Sequence, residues 1–416
     1  MSNLFLSKYN TIFGGNKFFG LVFFILPFMM PFHPLIARVF HIHVYLAQWG
    51  LVLLLCVIFL FKYRELKIRK NLLVFLFYIV LLWPFSPNLS AGAIIIINIA
   101  SSIILGNFFY KKSLTIFNFE PLILGTIICS ILLLPDIVKL LPLSVGYVRL
   151  NRIPQIEGSD ILVGPNGWAQ MLGVATVLLL VEMYEVKRVK VRYVVMLLTL
   201  CFLIYLTGSR TIFYAILGML VFFLISVFST RNISVLNKLL IVLVFVVGAN
   251  MVFNIELGSS RVFNIYSDNA AELGGRREIW DIALDVFTNK MNVLQELFGV
   301  GTGGAGVYIA RAVASPDDHI SPHSFYLDTL INFGIVGFII HIGFWIHSLY
   351  IMWLKKRSSI YYFIPFFVLF IGITNHFFIN IQYCIMLSVT NVILLEISTS
   401  VNNKKYSLYE RKIHGT

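Results

Sequence analysis

Two stretches, LVLLLCVIFLF at 51–61 and AIIIINIASSII at 93–104, are apolar on every face. A transmembrane β-strand alternates in polarity over about 10 residues, and a helix on a soluble core keeps one polar side. Neither description fits. Apolar blocks of roughly 15–22 residues recur along the chain, the length that crosses a bilayer core of about 30 Å at 1.5 Å per residue. Only helices can do this without a barrel's alternation, because each satisfies its own backbone in lipid. The composition agrees: of 416 residues, 59% are hydrophobic and 12% charged, against about 25% charged in ordinary soluble domains.

The reading is an all-α polytopic membrane protein of about 12 helices. They fall near 18–37, 43–61, 71–87, 89–110, 116–137, 165–181, 193–208, 211–229, 239–255, 324–350, 360–376 and 378–398. The formal charge of +13 sorts by side. With the N-terminus inside, 22 of the 32 Lys and Arg fall on the inner face, including Lys62, Arg64, Lys67, Arg69 and Lys70. That asymmetry puts both termini in the cytoplasm, makes the high charge mainly a topology signal, and removes the motive for a nucleic-acid partner. The first apolar block lacks a small-residue cleavage pattern and is expected to stay as a helix. Cys56, Cys129, Cys201 and Cys384 lie in apolar blocks without metal or disulfide spacing.

These spans divide the chain into helices one to nine (1–255), a large outer loop (256–323), and helices ten to twelve with a cytoplasmic tail (324–416). The outer loop has nine acidic and five basic residues, and connections of that length usually carry function. Within it Trp280, Leu284, Phe287, Met291 and Leu294 recur at helical spacing. They predict an amphipathic helix over about 276–297, lying on the rest of the protein or on the membrane surface. Arg276 and Arg277 follow Gly274 and Gly275 in its expected first turn, where the helix dipole disfavours cations, and so suggest a bound anion.

Three arginine positions face outward. Arg210, in Thr207-Gly208-Ser209-Arg210, sits in a turn so short that it lies at the outer interface. It reads equally as a lipid-phosphate anchor and as a substrate contact. Arg276 with Arg277 is the second position. Arg149 with Arg152 is the third, read first as a solvated loop. Arginines converging from several loops suit a diphosphate, since the guanidinium fork pairs bidentately with phosphate and keeps its charge. No carboxylate or His/Cys set offers a convincing metal site. His323, where the large loop meets the tenth helix, is the candidate acid/base, against the blander role of a helix cap, and His319 is a weaker rival. Gly301-Thr302-Gly303-Gly304-Ala305-Gly306 matches the dinucleotide pattern G-x-G-x-x-G but lacks the strand before it and the βαβ context. A hinge or a close backbone contact accounts for it better.

Six segments in order resemble the O-antigen polymerase and O-antigen ligase family of bacterial inner-membrane glycosyltransferases. They are Gly164-Pro165-Asn166-Gly167-Trp168-Ala169, Thr207-Gly208-Ser209-Arg210, Gly275-Arg276-Arg277-Glu278-Ile279-Trp280, Gly299-Val300-Gly301-Thr302-Gly303, His323-Ser324-Phe325-Tyr326-Leu327 and Phe333-Gly334-Ile335-Val336-Gly337. Ser324 stands where the family often has Asn, and Asn332 where it often has an acidic residue.

The resemblance implies a GT-C-like fold in the inner membrane with a periplasmic active site. It implies glycan transfer from an undecaprenyl-diphosphate carrier without cofactor or metal. Arg210 and Arg276, with Arg277, would hold the donor diphosphate and His323 would activate the acceptor hydroxyl. Arg149, Arg152 and Asn166 are further candidates for substrate contact. The partners implied are the carrier-linked donor and acceptor glycans, membrane lipids, and a chain-length regulator with other polysaccharide-assembly proteins. The glycine and Gly-Arg-Arg-Glu-Ile-Trp segments look more like the polymerases. The alternatives are a ligase acting on lipid A core and, from a different class, a transporter of the same lipid-linked glycan. Transporters usually show internal repeats and ionisable groups at the midplane, and this chain shows no convincing repeat.

Labelling intact cells with an impermeant maleimide checks the topology. Asp268→Cys should react and Lys67→Cys should not; the opposite pattern would invert the chain and take the candidate site out of the periplasm.

Overall fold

The computed structural model describes residues 25, 27–40, 47, 49–50, 52–54, 57, 69–111, 119–139, 153–154, 161–163, 165–185, 191–207, 209–229, 271–314, 319–355, 360–375 and 380–413. The expected segment 239–255, most of 43–61, and both Arg149 and Arg152 lie outside them. The described chain is helical apart from a short antiparallel pair, β1 (Ile153–Pro154) with β2 (Ile161–Val163). Its helices are α1 (His33–Phe40), α2 (Lys70–Leu82), α3 (Leu89–Lys111), α4 (Glu120–Lys139), α5 (Pro165–Glu185), α6 (Val191–Thr207), α7 (Arg210–Ser229), α8 (Ala271–Asp285), α9 (Val293–Phe298), α10 (Ala305–Ala312), α11 (Phe325–Lys355), α12 (Phe363–Ile371) and α13 (Ile381–Ile413). Among the described residues, four stretches are long and apolar enough to cross a membrane: Leu89–Gly106, Asn166–Tyr184, Arg210–Val227 and Phe325–Leu354. Lys70–Phe85, Glu120–Leu133, Val191–Thr207 and Ile381–Ile397 are shorter apolar helices.

The chain forms two compact units, one of Met1–Ile58 with Leu114–Ala271, the other of Phe59–Ser113 with Glu272–Thr416. In the first, α5 is the central helix, buried over nearly its whole apolar length. Pro165 opens it, where its missing N–H costs nothing, and the Trp168 indole donates to Ser130 Oγ on α4 at 3.1 Å. The opposite end carries charge. Arg192 pairs with buried Glu120 at 2.9 Å, and the Tyr193 hydroxyl donates to Glu182 at 3.0 Å. Buried carboxylates so held avoid the heavy penalty of an unpaired charge in an apolar setting.

In the second unit α3 packs along α13, and small residues let the backbones approach. A methyl group at Gly106 would meet the Asn391 amide and the Ser388 carbonyl. The unexpected feature is α11. The apolar pattern predicts one continuous span over 324–350, but Gly334 adopts φ 64°, ψ −171° and breaks the helix. The break frees carbonyls at the end of the first half, and each finds a donor: Ile331 O accepts from Val300 N at 3.0 Å, Asn332 O from Gly301 N at 3.2 Å, and Phe333 O from the Tyr78 hydroxyl at 2.7 Å. Backbone polar groups away from water require such partners.

The glycine-rich segment is therefore a close backbone contact, with no room for a side chain at Gly299, Gly301 or Gly303. Gly301 sits at φ 101° with its Cα against the Phe85–Ser86 backbone, and a Cβ at Gly334 would collide with the Leu297 carbonyl. Thr302, fully buried, donates to Ile79 O at 2.7 Å. Around this seam a small apolar core forms from Ala283, Val286, Met291, Val300, Ala305, Ile309 and Ile331.

The amphipathic segment also departs from the sequence reading. Instead of one helix over 276–297 there is α8, a π-helical turn at Val286–Lys290, and the separate α9. The buried face runs from Ala283 on α8 to Val286 and leaves Leu284 exposed, and beyond the wider turn Met291 is buried while Leu294 is exposed.

Alanine at Gly301 or Gly334 has to adopt a backbone conformation that costs side-chain-bearing residues roughly 1–3 kcal/mol, in addition to the collision. Gly301→Ala and Gly334→Ala should each lower the melting temperature of the detergent-purified protein. Gly343→Ala, exposed on α11 with nothing near its Cβ, should leave it unchanged or slightly raised.

Candidate functional site

Arg276 and Trp280 stand four residues apart on α8 and so share a face. The Trp280 indole N–H donates to the Pro322 carbonyl at 3.0 Å, fastening the large loop's helix to the peptide that carries His323. That peptide is held from two further sides. The His323 amide donates to Ser321 Oγ at 3.2 Å, and the Phe325 amide donates to Gly372 O at 2.8 Å. His323 has φ 49°, a left-handed conformation that is uncommon away from glycine and survives where surrounding contacts impose it. The fastening takes the residue out of α11, which starts at Phe325, and gives its ring a position that a regular first helical turn would not.

His323 and Arg276 are electrostatic neighbours. Crowding by surrounding protein, and then the positive charge of Arg276, lower the imidazole pKa below its ordinary 6.5, although the side chain is still reached from outside. Desolvation also lowers the pKa of Arg276 from 12.5, but a guanidinium stays protonated at any physiological pH. The pair is thus a fixed cation beside a histidine biased to its neutral form. Arg276 lies in the second turn of α8, because that helix begins at Ala271. The dipole argument for an anion applies to the first turn, so the charge of Arg276 acts through its place beside His323. Arg277, next along the helix, is exposed.

Arg210 is the first residue of α7 and half-buried. The turn before it is shaped by Thr207, whose hydroxyl accepts from the Ser209 amide at 3.2 Å and donates to Ile204 O at 2.6 Å. Here a cation does stand at a helix N-terminus, the position that favours a nearby anion. Asn166, second in α5, is half-buried beside the anchored Trp168. Arg210 and Asn166 belong to the first unit, Arg276 and His323 to the second. His319 packs its ring over Gly306, where a Cβ would run into it, and Ile320 N donates to Gly306 O at 3.0 Å. It forms a wall against α10, and crowding lowers its pKa.

Two positioning groups escape the sequence reading. Trp280 reads as a member of an apolar stripe, yet a half-buried indole N–H needs an acceptor, and its i+4 spacing from Arg276 is the signal that could have found it. Asn332 is the other. Its amide donates to Asp328 at 2.9 Å, and its carbonyl oxygen accepts from the Ala305 amide at the start of α10, at 2.8 Å. Among the described residues, no three His, Cys, Asp or Glu side chains group closely enough to hold a metal ion.

No curated protein matches the chain. Residues 195–342 match the family model described as O-antigen ligase. That segment starts in α6, ends in the second half of α11, and contains Arg210, Arg276, Trp280, the glycine seam and His323. Over those residues the chain is similar to the O-antigen ligase family.

Proposed function

We propose that this protein is a metal-independent polysaccharide polymerase at the periplasmic face of the inner membrane. It transfers a glycan from an undecaprenyl-diphosphate carrier to a sugar hydroxyl of a second carrier-linked repeat unit. The observation that carries the reading is the charge of Arg276 acting on His323, with the two held together by the Trp280–Pro322 hydrogen bond. In the reaction the acceptor oxygen bonds to the anomeric carbon while the bond from that carbon to the diphosphate oxygen breaks. The electron pair leaves with the carrier diphosphate, and the acceptor proton passes to the imidazole of His323. Arg210 and Arg276 compensate the charge growing on the diphosphate, with Arg277, Arg149, Arg152 and Asn166 as outlying substrate contacts.

One consequence links the two steps. Before the donor binds, crowding by protein and then the charge of Arg276 bias His323 toward its neutral, weakly basic form. A diphosphate against Arg276 offsets that positive field, so the donor itself raises the basicity of the histidine as the acceptor arrives. The ligase reading, transfer of the finished glycan to lipid A core, is favoured by the description of the matched family. The lipopolysaccharide gel of a deletion strain separates them. Loss of the ladder with one repeat left on the core marks a polymerase, and loss of every attached repeat marks a ligase. A transporter would form no glycosidic bond in detergent.

Transition-state contacts to developing charge contribute roughly 3–4 kcal/mol, or about 10²–10³ in rate. Arg210→Ala and Arg276→Ala should each lose activity on that scale, and Arg→Lys should recover little, because lysine lacks the bidentate fork. Normal polymer from the double alanine variant at normal expression would dismiss the diphosphate role.

His323→Ala should lose about 10²–10⁴ in turnover while still binding donor, and His319→Ala should lose much less. Activity should fall on the acid side as His323 protonates. Its lowered pKa places that limb of kcat/KM, which reports the free enzyme, below pH 6.5. The limb of kcat, which reports the loaded enzyme, should lie at higher pH. Arg276→Gln should move the free-enzyme limb upward. The same displacement should show in the pH dependence of diethylpyrocarbonate modification of His323, read by mass spectrometry. A limb that Arg276→Gln leaves in place would break the link between the two residues.

A further inference from the structure

We propose that α9 lies within the interfacial layer of the bilayer, with its apolar face against lipid acyl chains, and so docks the candidate site on the membrane. The reading is independent of the reaction assigned to the site. Val293, Leu294, Leu297 and Phe298 occupy one arc of about 140° on a helix of 100° per residue, and all four are exposed, Val293 and Leu294 by more than two thirds. The remaining face is tied to protein. Asn292 and Gln295 form a reciprocal capping box, and the Gln295 amide donates to the Tyr308 hydroxyl at 2.8 Å. A helix on a water-facing surface does the reverse, turning its apolar side in and its polar side out. Six residues would not hold a helix unaided, so this inverted orientation is imposed by the capping box and by the packing of α9 on α11.

The occupant follows from continuity. The end of α9 sits at the break in α11: a Cβ at Gly334 would strike the Leu297 carbonyl, and the Tyr78 hydroxyl on α2 donates to both Phe333 O at 2.7 Å and Phe298 O at 3.3 Å. Just beyond the break, on the apolar stretch Phe325–Leu354, Ile335 and Ile339 are exposed, and so are Val74, Phe77 and Leu81 on α2. Exposed apolar side chains on the membrane-crossing α11 and on the apolar helix α2 beside it face lipid. The backbone at the end of α9 lies against Gly334 of α11 and Tyr78 of α2, so its apolar arc continues the lipid-facing surface of those helices. Asp281 on α8 is exposed and charged and marks the side that faces water.

Nitroxide labels at Val293→Cys, Leu294→Cys, Ile339→Cys and Asp281→Cys, with the four native cysteines replaced by serine, test this. The protein is placed in nanodiscs of phosphatidylethanolamine and phosphatidylglycerol, and label collisions with oxygen and with a water-soluble nickel complex are compared. The labels at 293 and 294 should collide more with oxygen than with nickel, as at 339, and the label at 281 should show the opposite. A label at 294 that behaves like the one at 281 overturns the proposal. So does one hidden from both reagents, which would mean that protein covers the face.

Discussion

The broken helix at Gly334 creates a demand that the surrounding structure meets. An apolar helix satisfies its own backbone, and a break within it leaves carbonyls that lipid cannot serve. Here the carbonyls of Ile331 and Asn332 take the amides of Val300 and Gly301, and that of Phe333 takes the Tyr78 hydroxyl. Donors from two distant parts of the chain therefore have to be brought to one place. The segment that supplies the amides must approach backbone to backbone, which glycine permits. The seam from Gly299 to Gly304 is a structural requirement of the broken helix, and its likeness to a nucleotide-binding fingerprint is incidental.

From that seam the site is built outward. Asn332, at the break, caps the start of α10 and is oriented by Asp328. The small core of Ala283, Val286, Met291, Val300, Ala305, Ile309 and Ile331 then joins α8 and α10 to the first half of α11. With α8 so placed, Trp280 reaches Pro322, and Arg276, one turn earlier, comes beside His323. Each element depends on the one before it, which explains how a half-exposed histidine is held in a left-handed conformation.

A second polar group stabilises the break from inside. His341, buried on the second half of α11, stacks on Phe75 at 4.4 Å and lies 2.6 Å from the Tyr383 hydroxyl. Trp345 can only donate, and it does so to His341 Nε2 at 3.3 Å. The other ring nitrogen, Nδ1, faces Thr329 Oγ1 at 3.4 Å. Thr329 belongs to the first half of the helix, so the ring fastens both halves to each other and to α13. Polar groups are costly at such depth unless fully partnered.

Membrane character, helical class and the residue types of the candidate site were proposed from the sequence because they depend on composition and on local spacing. Length and hydropathy determine which segments can enter lipid, and the order of Arg210, Gly-Arg-Arg-Glu-Ile-Trp and His323 carries the resemblance to the O-antigen ligase family. Tertiary structure alone decided the rest. Nothing in the apolar run around Gly334 distinguishes a broken helix from a continuous one, since the partners that tolerate the break lie some 30 and 250 residues away in sequence. The π turn at Val286–Lys290 interrupts the expected helix, and Trp280 becomes a fastener because Pro322 is brought to it. Which arginine meets the histidine is likewise set by packing, because electrostatic coupling depends on distance in space and periodicity reports only neighbours along one helix.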